Sequence, residues 1–416
     1  MAELAHFKNF AKLKDTSIEF NDITVLAGKP GTGKSYVMKF QYALMETVSS
    51  ILNGNSFEHY AFMDSSEHEE MMINFLSMNF ILIAKEFFDV SDITEYLDSN
   101  NYIESLKILK ENENFILENL DEKNQRSLFQ SFLSSLTQFS NRQEKSLGIS
   151  DEEKFHFIFR NLLTSIFGDI NQIDTDFIYK DKQVACSYNE NILNIQKINL
   201  EEDIENSIFV ETPLILEFEK FLPKERFKTP YHIDSLLQEL NKNYFSFTSE
   251  ETSSFINSFQ KSASKTIEGT ITKGTLGFSF ESKSGKSFNI VNASSGIKSI
   301  GLLQYLVINK TLKKGSVLFW EEPEVHLHPE WQLKMVDLFV ELMNAGIKVV
   351  FSTHSPYMAD YLNAISKKEG YRDRISFNVL DEKDGVVTNH ILDDENWDIL
   401  QHELMDTFED ILWQYL

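Results

Sequence analysis

The chain has 416 residues, 42% of them hydrophobic, a single cysteine and a formal net charge of −25 at pH 7. That is apolar material for two or three folded domains, while the lone Cys186 excludes a disulfide framework and a Cys-x-x-Cys zinc site and points to a reducing, cytoplasmic setting. No run of 18 apolar residues occurs, so no membrane-spanning helix is expected, and the acidic balance makes the chain a poor general binder of nucleic-acid backbones, whose affinity comes from Lys and Arg displacing counterions. The charge is local: residues 64–123 carry 15 acids against 4 bases, and residues 381–416 carry 11 against 1. Stretches of this kind are solvated helix faces or surfaces for basic protein partners.

Residues 4–27 alternate apolar and polar positions around turn residues such as Asn21-Asp22, which predicts two or three short strands at the edge of a sheet. The last of them, Ile23 to Ala27, runs into Gly28-Lys29-Pro30-Gly31-Thr32-Gly33-Lys34-Ser35, and a helix follows from Ser35 to Met45. The octapeptide matches GxxxxGK[ST], a loop whose backbone N–H groups wrap phosphate oxygens, with Lys34 reaching the β- and γ-phosphates and the Ser35 hydroxyl on Mg²⁺. ATP and Mg²⁺ are therefore the implied cofactors.

From about Glu67 the pattern turns helical, with Met71 to Phe88, Tyr102 to Leu120 and Glu152 to Phe167 placing apolar residues three and four apart. Phe177 to Lys180, Val184 to Tyr188 and Ile192 to Gln196 read as a β-meander, Ile208 to Leu216 as a strand returning to the sheet, and Tyr231 to about Lys261 as helices. A glycine-broken β region then holds Ile267 to Ile271, Gly277 to Glu281 and Phe288 to Val291. Within residues 259–288, five lysines (Lys261, Lys265, Lys273, Lys283 and Lys286) face only Glu268 and Glu281: a solvated hairpin, or a patch touching nucleic acid.

The closing third carries the second motif. Ala293-Ser294-Ser295-Gly296 opens a helix, where hydroxyls and free N–H groups suit a γ-phosphate. An apolar strand then ends at Trp320 and delivers Glu321 and Glu322, followed by Pro-Glu-Val-His-Leu-His-Pro329, a helix to Asn344, and a strand, Ile347 to Thr353, that stops at His354. In such a site the first carboxylate holds Mg²⁺ and the second polarises the attacking water. His326 and His328 form a His-x-His pair with no third metal ligand evident nearby, and are read as part of the turn. Strands alternating with helices give an α/β fold with a P-loop, a mixed sheet flanked by helices and a largely helical insertion. The organisation read from the pattern is an ATPase lobe over 1–66, the insertion over 67–170, strands returning over 171–222, a helical segment over 223–262, and the remaining ATPase lobe over 263–416 ending in an amphipathic helix from Asn396 to Leu416.

In combination and order, the opening His6-Phe-Lys-Asn-Phe10, the loop Gly28 to Ser35, Ala293-Ser-Ser-Gly296, Glu-Glu-Pro-Glu-x-His-Leu-His-Pro and Ser-Thr-His-Ser-Pro resemble the ABC-type ATPase heads of the SMC, RecF and overcoming-lysogenisation-defect lineage. The chain is similar to stand-alone ATPases of bacterial anti-phage systems such as the PARIS-like ones. The resemblance implies Glu322 as catalytic carboxylate, Glu321 as the magnesium residue, His354 as switch histidine, Ser294, Ser295 and Gly296 as a signature completing the site of a second copy, and Glu324 to Pro329 as the loop that crosses to it. Pro30, Glu321 and Ile297 depart from the usual family residues, and no Q-loop glutamine is evident. Pro30 gives the loop an AAA+ appearance, but Lys34 and Glu321 stand 287 positions apart, unlike the short AAA+ domain. About sixty residues follow His354, too few for a Toprim domain, and no long coiled coil or zinc hook is present. The implied function is a Mg²⁺-dependent ATPase, forming homodimers or higher oligomers, that acts as sensor and regulator of a separate nuclease or toxin in anti-phage defence. The alternative is a RecF- or SMC-like ATPase that binds DNA in repair or maintenance.

Overall fold

A computed structural model describes residues 3–52, 150–168, 175–179, 184–189, 192–198, 204–218, 229–241, 250–274 and 277–405. The chain divides into one compact unit of Met1–Asn55 with Phe155–Leu416, and another of Ser56–Lys154. The helices predicted over Met71 to Phe88 and Tyr102 to Leu120 lie outside the described residues.

The first unit is built on a mixed sheet. Its strands are β1 (Glu3–Phe10), β2 (Leu13–Phe20), β3 (Ile23–Gly28), β4 (Thr175–Tyr179), β5 (Val184–Asn189), β6 (Ile192–Ile198), β7 (Ser207–Val210), β11 (Val317–Trp320), β12 (Lys348–Thr353), β13 (Ile375–Lys383) and β14 (Val386–Ile391), in the order β6-β5-β4-β1-β2-β14-β13-β3-β12-β11-β7. A separate three-stranded sheet holds β8 (Gly269–Gly274), β9 (Gly277–Ser282) and β10 (Ser287–Asn289). The helices are α1 (Lys34–Leu52), α2 (Asp151–Phe167), α3 (Ile215–Phe218), α4 (Tyr231–Asn241), α5 (Glu250–Ile267), α6 (Ser295–Ile308), α7 (Pro329–Asn344) and α8 (Pro356–Glu369). A last helical segment begins at residue 398.

Five neighbouring strands, β13, β3, β12, β11 and β7, run parallel. Every residue of β3, β11 and β7 is buried, as expected of strands covered on both faces. The pleat of β11 shows how: Phe319 meets Tyr42 of α1, whereas Trp320 on the opposite face meets Phe339 of α7. Helices α1 and α7 thus sandwich the parallel half, and a buried polar group inside it such as Asn378 is bonded to the Glu19 and Val25 carbonyls.

Several expectations are corrected. β1 and β2 lie inside the sheet rather than at its edge, because the meander β4–β6 adds to β1. The returning strand stops at Val210 instead of continuing to Leu216; Pro213 has no N–H to give a ladder, and the chain coils into α3. The strand placed at Ile267 starts at Gly269, since Phe259, Ala263 and Ile267 recur every four residues on one buried face and carry α5 to Ile267. Lys261 and Lys265 therefore sit on a helix rather than a hairpin, and Ile290–Asn292 is a 3₁₀ turn capped by Asn289 rather than strand. The C-terminal helix starts two residues later than expected, and residues 406–416 lie outside the described part. β13 and β14, which the sequence pattern did not announce, insert between β2 and β3, and α8, equally unannounced, packs on α7.

Gly28 shows what β13 demands of the phosphate loop. It pairs with Leu380 across β3 and β13, has φ +136°, and a Cβ added to it would stand 2.3 Å from the Leu380 carbonyl oxygen. Gly28→Ala is expected to cost on the order of 3 kcal/mol or more of stability, because neither backbone can yield without breaking the ladder. Urea denaturation of the two proteins measures it.

Candidate functional site

The four strands β3, β12, β11 and β7 finish on one edge of the sheet; β3 leads into the phosphate loop and each of the other three hands the chain to a titratable residue. In register, Ala27 stands beside Thr353, Trp320 beside Phe351, and Trp320 beside Val210. The next residues are Gly28, His354, Glu321 and Glu211. Open parallel sheets bind ligands at this edge.

The phosphate loop precedes α1, whose first N–H groups have no partners within the helix. Lys34 folds back over the loop, donating 2.8 Å bonds to the carbonyls of Gly28 and Lys29. Burial lowers its pKa to about 8, opposed by Glu322, Glu324 and Glu403. Thr32 donates to the Lys29 carbonyl, and Glu403 from the last helical segment receives both the backbone N–H and the ammonium of Lys29.

Glu321 is largely buried, its side chain 13% exposed, and its buried Oε1 has no hydrogen-bond partner among the described residues. Desolvation pushes its pKa up to about 7, partly countered by Lys39 and by the Ser35 hydroxyl beside it. A carboxylate oxygen without a partner, next to a hydroxyl at a helix N-terminus, is an oxygen donor set that fits a hard divalent cation. The structure brings the two residues expected to hold Mg²⁺ into one place.

Glu322 follows with φ +44°, a left-handed backbone held by its N–H bonding to the Ser352 carbonyl and hydroxyl. Such strain in a non-glycine residue costs on the order of 1–3 kcal/mol. It turns the Glu322 side chain out toward solvent, where Oε1 lies 3.4 Å from His354 Nε2. Burial, with Lys34 adding to it, lowers the His354 pKa below the usual histidine value, while Glu322 and the Gly28 backbone oppose this. Glu324 is partly buried and accepts the His354 backbone N–H at 2.6 Å, so the turn after the acids and the loop after β12 are joined. Gln332 strengthens that joint, accepting from Ser355 Oγ at 2.6 Å and donating to the Leu327 carbonyl. His326 turns the chain with φ +65°, and His328 caps α7 through Nδ1.

Ser294 caps α6 by accepting the Ile297 N–H, and Ser295 begins the helix. A Cβ on Gly296 would come within 3.1 Å of the Trp331 ring and 3.3 Å of Leu327, so this helix end packs closely on the turn and α7. Among the described residues no hydrogen bond joins residues 294–296 to the phosphate loop of the same chain. The sequence reading missed Glu211, Lys39, His232 and Glu403. Glu211 had a signal: it ends an apolar strand, Ser-Ile-Phe-Val, as Glu321 ends Val-Leu-Phe-Trp.

A glycine-rich phosphate loop and a carboxylate pair, side by side on parallel strands, define a P-loop ATPase. Residues 5–359 match the family described as AAA ATPase domain, a span that includes the loop, both glutamates and His354, and the chain belongs to that family. No curated protein matches the sequence. Among solved structures the chain is similar to an SMC head bound to the C-winged helix domain of ScpA (12% identity over 95% of this chain and 98% of that one, TM-score 0.40). It is also similar to the SMC head domain from Thermotoga maritima (10% identity, 94% and 99% coverage, TM-score 0.38). No helix among the described residues is long and apolar enough to cross a membrane.

The raised pKa of Glu321 has a direct consequence for stability. Between about pH 4.5 and 7 the folded state holds a proton that the unfolded chain has released, so this group makes stability fall as pH rises through that window and level off above it. Glu211 acts elsewhere: lowered to about 2, chiefly by its hydrogen bond to His232, it contributes stability above about pH 4.5 that is lost as pH falls toward 2. In chelator-treated protein, Glu321→Gln is expected to remove this group's share of the downward slope between pH 4.5 and 7, leaving the smaller share of other raised carboxyls such as Glu324. It should exceed the wild type at pH 8 by on the order of 1–3 kcal/mol, measured by denaturant titration at each pH.

Proposed function

We propose that this ATPase is a nucleotide-driven clamp of the ABC type, related to the SMC, RecF and overcoming-lysogenisation-defect lineage, that controls a separately encoded effector such as a nuclease or toxin in anti-phage defence. The observation carrying the ATP chemistry is the convergence of Lys34, Ser35, Glu321, Glu322 and His354 on one sheet edge. In this reading Lys34 and the loop N–H groups grip the phosphates, and Ser35 with Glu321 holds Mg²⁺. When bound there, the cation would supply positive charge to the phosphate oxygens. Glu322 accepts a proton from the attacking water, with His354 orienting its carboxylate. Ser294, Ser295 and Gly296 serve the ATP site of a second copy, which makes the dimer ATP-dependent. Sequence gives the effector role its support: the acidic stretches suit basic protein partners.

One observation favours the second reading, a DNA-binding ATPase of repair or maintenance. Lys261, Lys265, Lys283 and Lys286 are all exposed on α5 and the β9–β10 connection. Lys273 does not join them, because it bonds the Leu240 carbonyl and Asn241.

Mass photometry of the Glu322→Gln protein separates these readings. With ATP and Mg²⁺ it is expected to dimerise and to retain the product of its neighbouring gene, whereas Lys34→Ala stays monomeric; dimers that ignore that product but hold duplex DNA would move the assignment to the second reading. Loss of the proton acceptor should lower ATP turnover by about 10²–10⁴-fold in Glu322→Gln, read by phosphate release.

A further inference from the structure

Beside the site described above lies a charge cluster that its chemistry does not use. Lys39 is one turn along α1 from Ser35 and so faces the same way. Its ammonium donates to Glu211 Oε1 at 3.1 Å and stands 4.0 Å from Glu321 Oε1, the buried oxygen without a hydrogen-bond partner. Glu211 is fixed from its other side: Oε2 lies 3.0 Å from Nε2 of His232, a fully buried residue of α4. The Lys39 ammonium also lies 5.8 Å from the centre of the Phe209 ring, whose edge meets His232. One cation is thus set between two carboxylates that end adjacent strands, bonded to one and short of the other.

We propose that Lys39 is a resident counter-ion of the acidic edge formed by Glu211 and Glu321, a positioning residue that competes with the divalent cation for Glu321 and is held back from it by Glu211. The inference rests on the reading of Ser35 and Glu321 as the cation site. Its physical basis is Coulombic. Two carboxylates this close in a partly buried setting repel each other, and an ammonium between them removes that cost. A divalent cation arriving at Glu321 meets a positive charge already 4.0 Å from the same oxygen. Glu211, anchored by His232, gives Lys39 an alternative partner, so the lysine can remain paired while the cation takes Glu321. A lysine of purely structural value would instead support the fold alone, and its removal would loosen the cation site.

The test is Mn²⁺ binding by the full chain carrying Glu322→Gln, with saturating ATP, followed by electron paramagnetic resonance of the ion, so that turnover plays no part. Adding Lys39→Met is expected to tighten Mn²⁺ by about 5-fold or more, Lys39→Arg to leave it near the parent value, and Glu211→Gln to weaken it by a similar factor because Lys39 then falls onto Glu321. Weaker or unchanged binding in Lys39→Met would overturn the proposal, as would unchanged binding in Glu211→Gln, which also serves if Lys39→Met does not fold. Glu321→Gln in the same background tells the two levels apart. If it leaves Mn²⁺ affinity intact, the cation-site reading itself is wrong; if it abolishes binding while Lys39→Met has no effect, only the counter-ion proposal fails.

Discussion

Four adjacent strands, β3, β12, β11 and β7, run parallel, keep register, and stop at nearly the same level. Parallel pairing requires that each strand be reached by a crossover, which places helices on both faces and leaves the strand ends as the place where polar groups meet solvent. The phosphate loop, Glu321, Glu322, His354 and Glu211 are at this edge because the ladder puts them there. A slip of one residue in β11 would turn Trp320 away from Phe339 and carry Glu321 off its level. Packing of Tyr42, Phe209 and Phe319 on one face, and of Phe339 and Phe351 on the other, therefore fixes the geometry of the chemistry.

The same burial that sets the register makes the edge electrostatically tense. Glu321 and Glu324 are held in surroundings that disfavour their charged forms, and Lys34 is held where its charge is disfavoured too. Lys29, Lys34 and Lys39 answer the carboxylates one by one, through Glu403, through the loop carbonyls with the nearby glutamates, and through Glu211. A chain of net charge −25 has so placed its few cations at this edge that each carries a defined contact. An entering phosphate and its counter-ion would have to rearrange contacts that already exist.

Mechanical coupling accompanies the charge. Glu324 and Gln332 tie the turn after Glu322 to the loop after β12, and Ser352 holds the Glu322 backbone in its left-handed form. Gly296 packs against Trp331 and Leu327 of that same turn region and α7, so the start of α6 belongs to the assembly as well. These segments are coupled through part-buried hydrogen bonds of 2.6–3.2 Å and close van der Waals approaches.

Much of this was legible in the residues alone. Gly28 to Ser35 declares its loop because phosphate binding requires a rare local pattern, and an apolar strand ending in Glu321-Glu322 declares itself for the same reason; the limits of α7 were also readable, from Pro329 and the three- and four-residue spacing that follows it. Failures came where the deciding partner is remote. β13 reads as an ordinary apolar run, and only its pairing with β3 makes Gly28 indispensable; the meander β4–β6 moves β1 and β2 from the edge to the interior by adding to β1. Lys39 is one base of 39 and nothing local sets it apart, while Glu211 ends an apolar strand as Glu321 does but carries no local sign of its partner. Sequence by itself determined the phosphate loop, the carboxylate pair and the alternation of strands and helices, because each is written in neighbouring residues. Tertiary structure alone decided that Glu211, 110 positions before Glu321, stands beside it with Lys39 between, because that proximity comes from the side-by-side pairing of β7 and β11 under α1 and from no pattern along the chain.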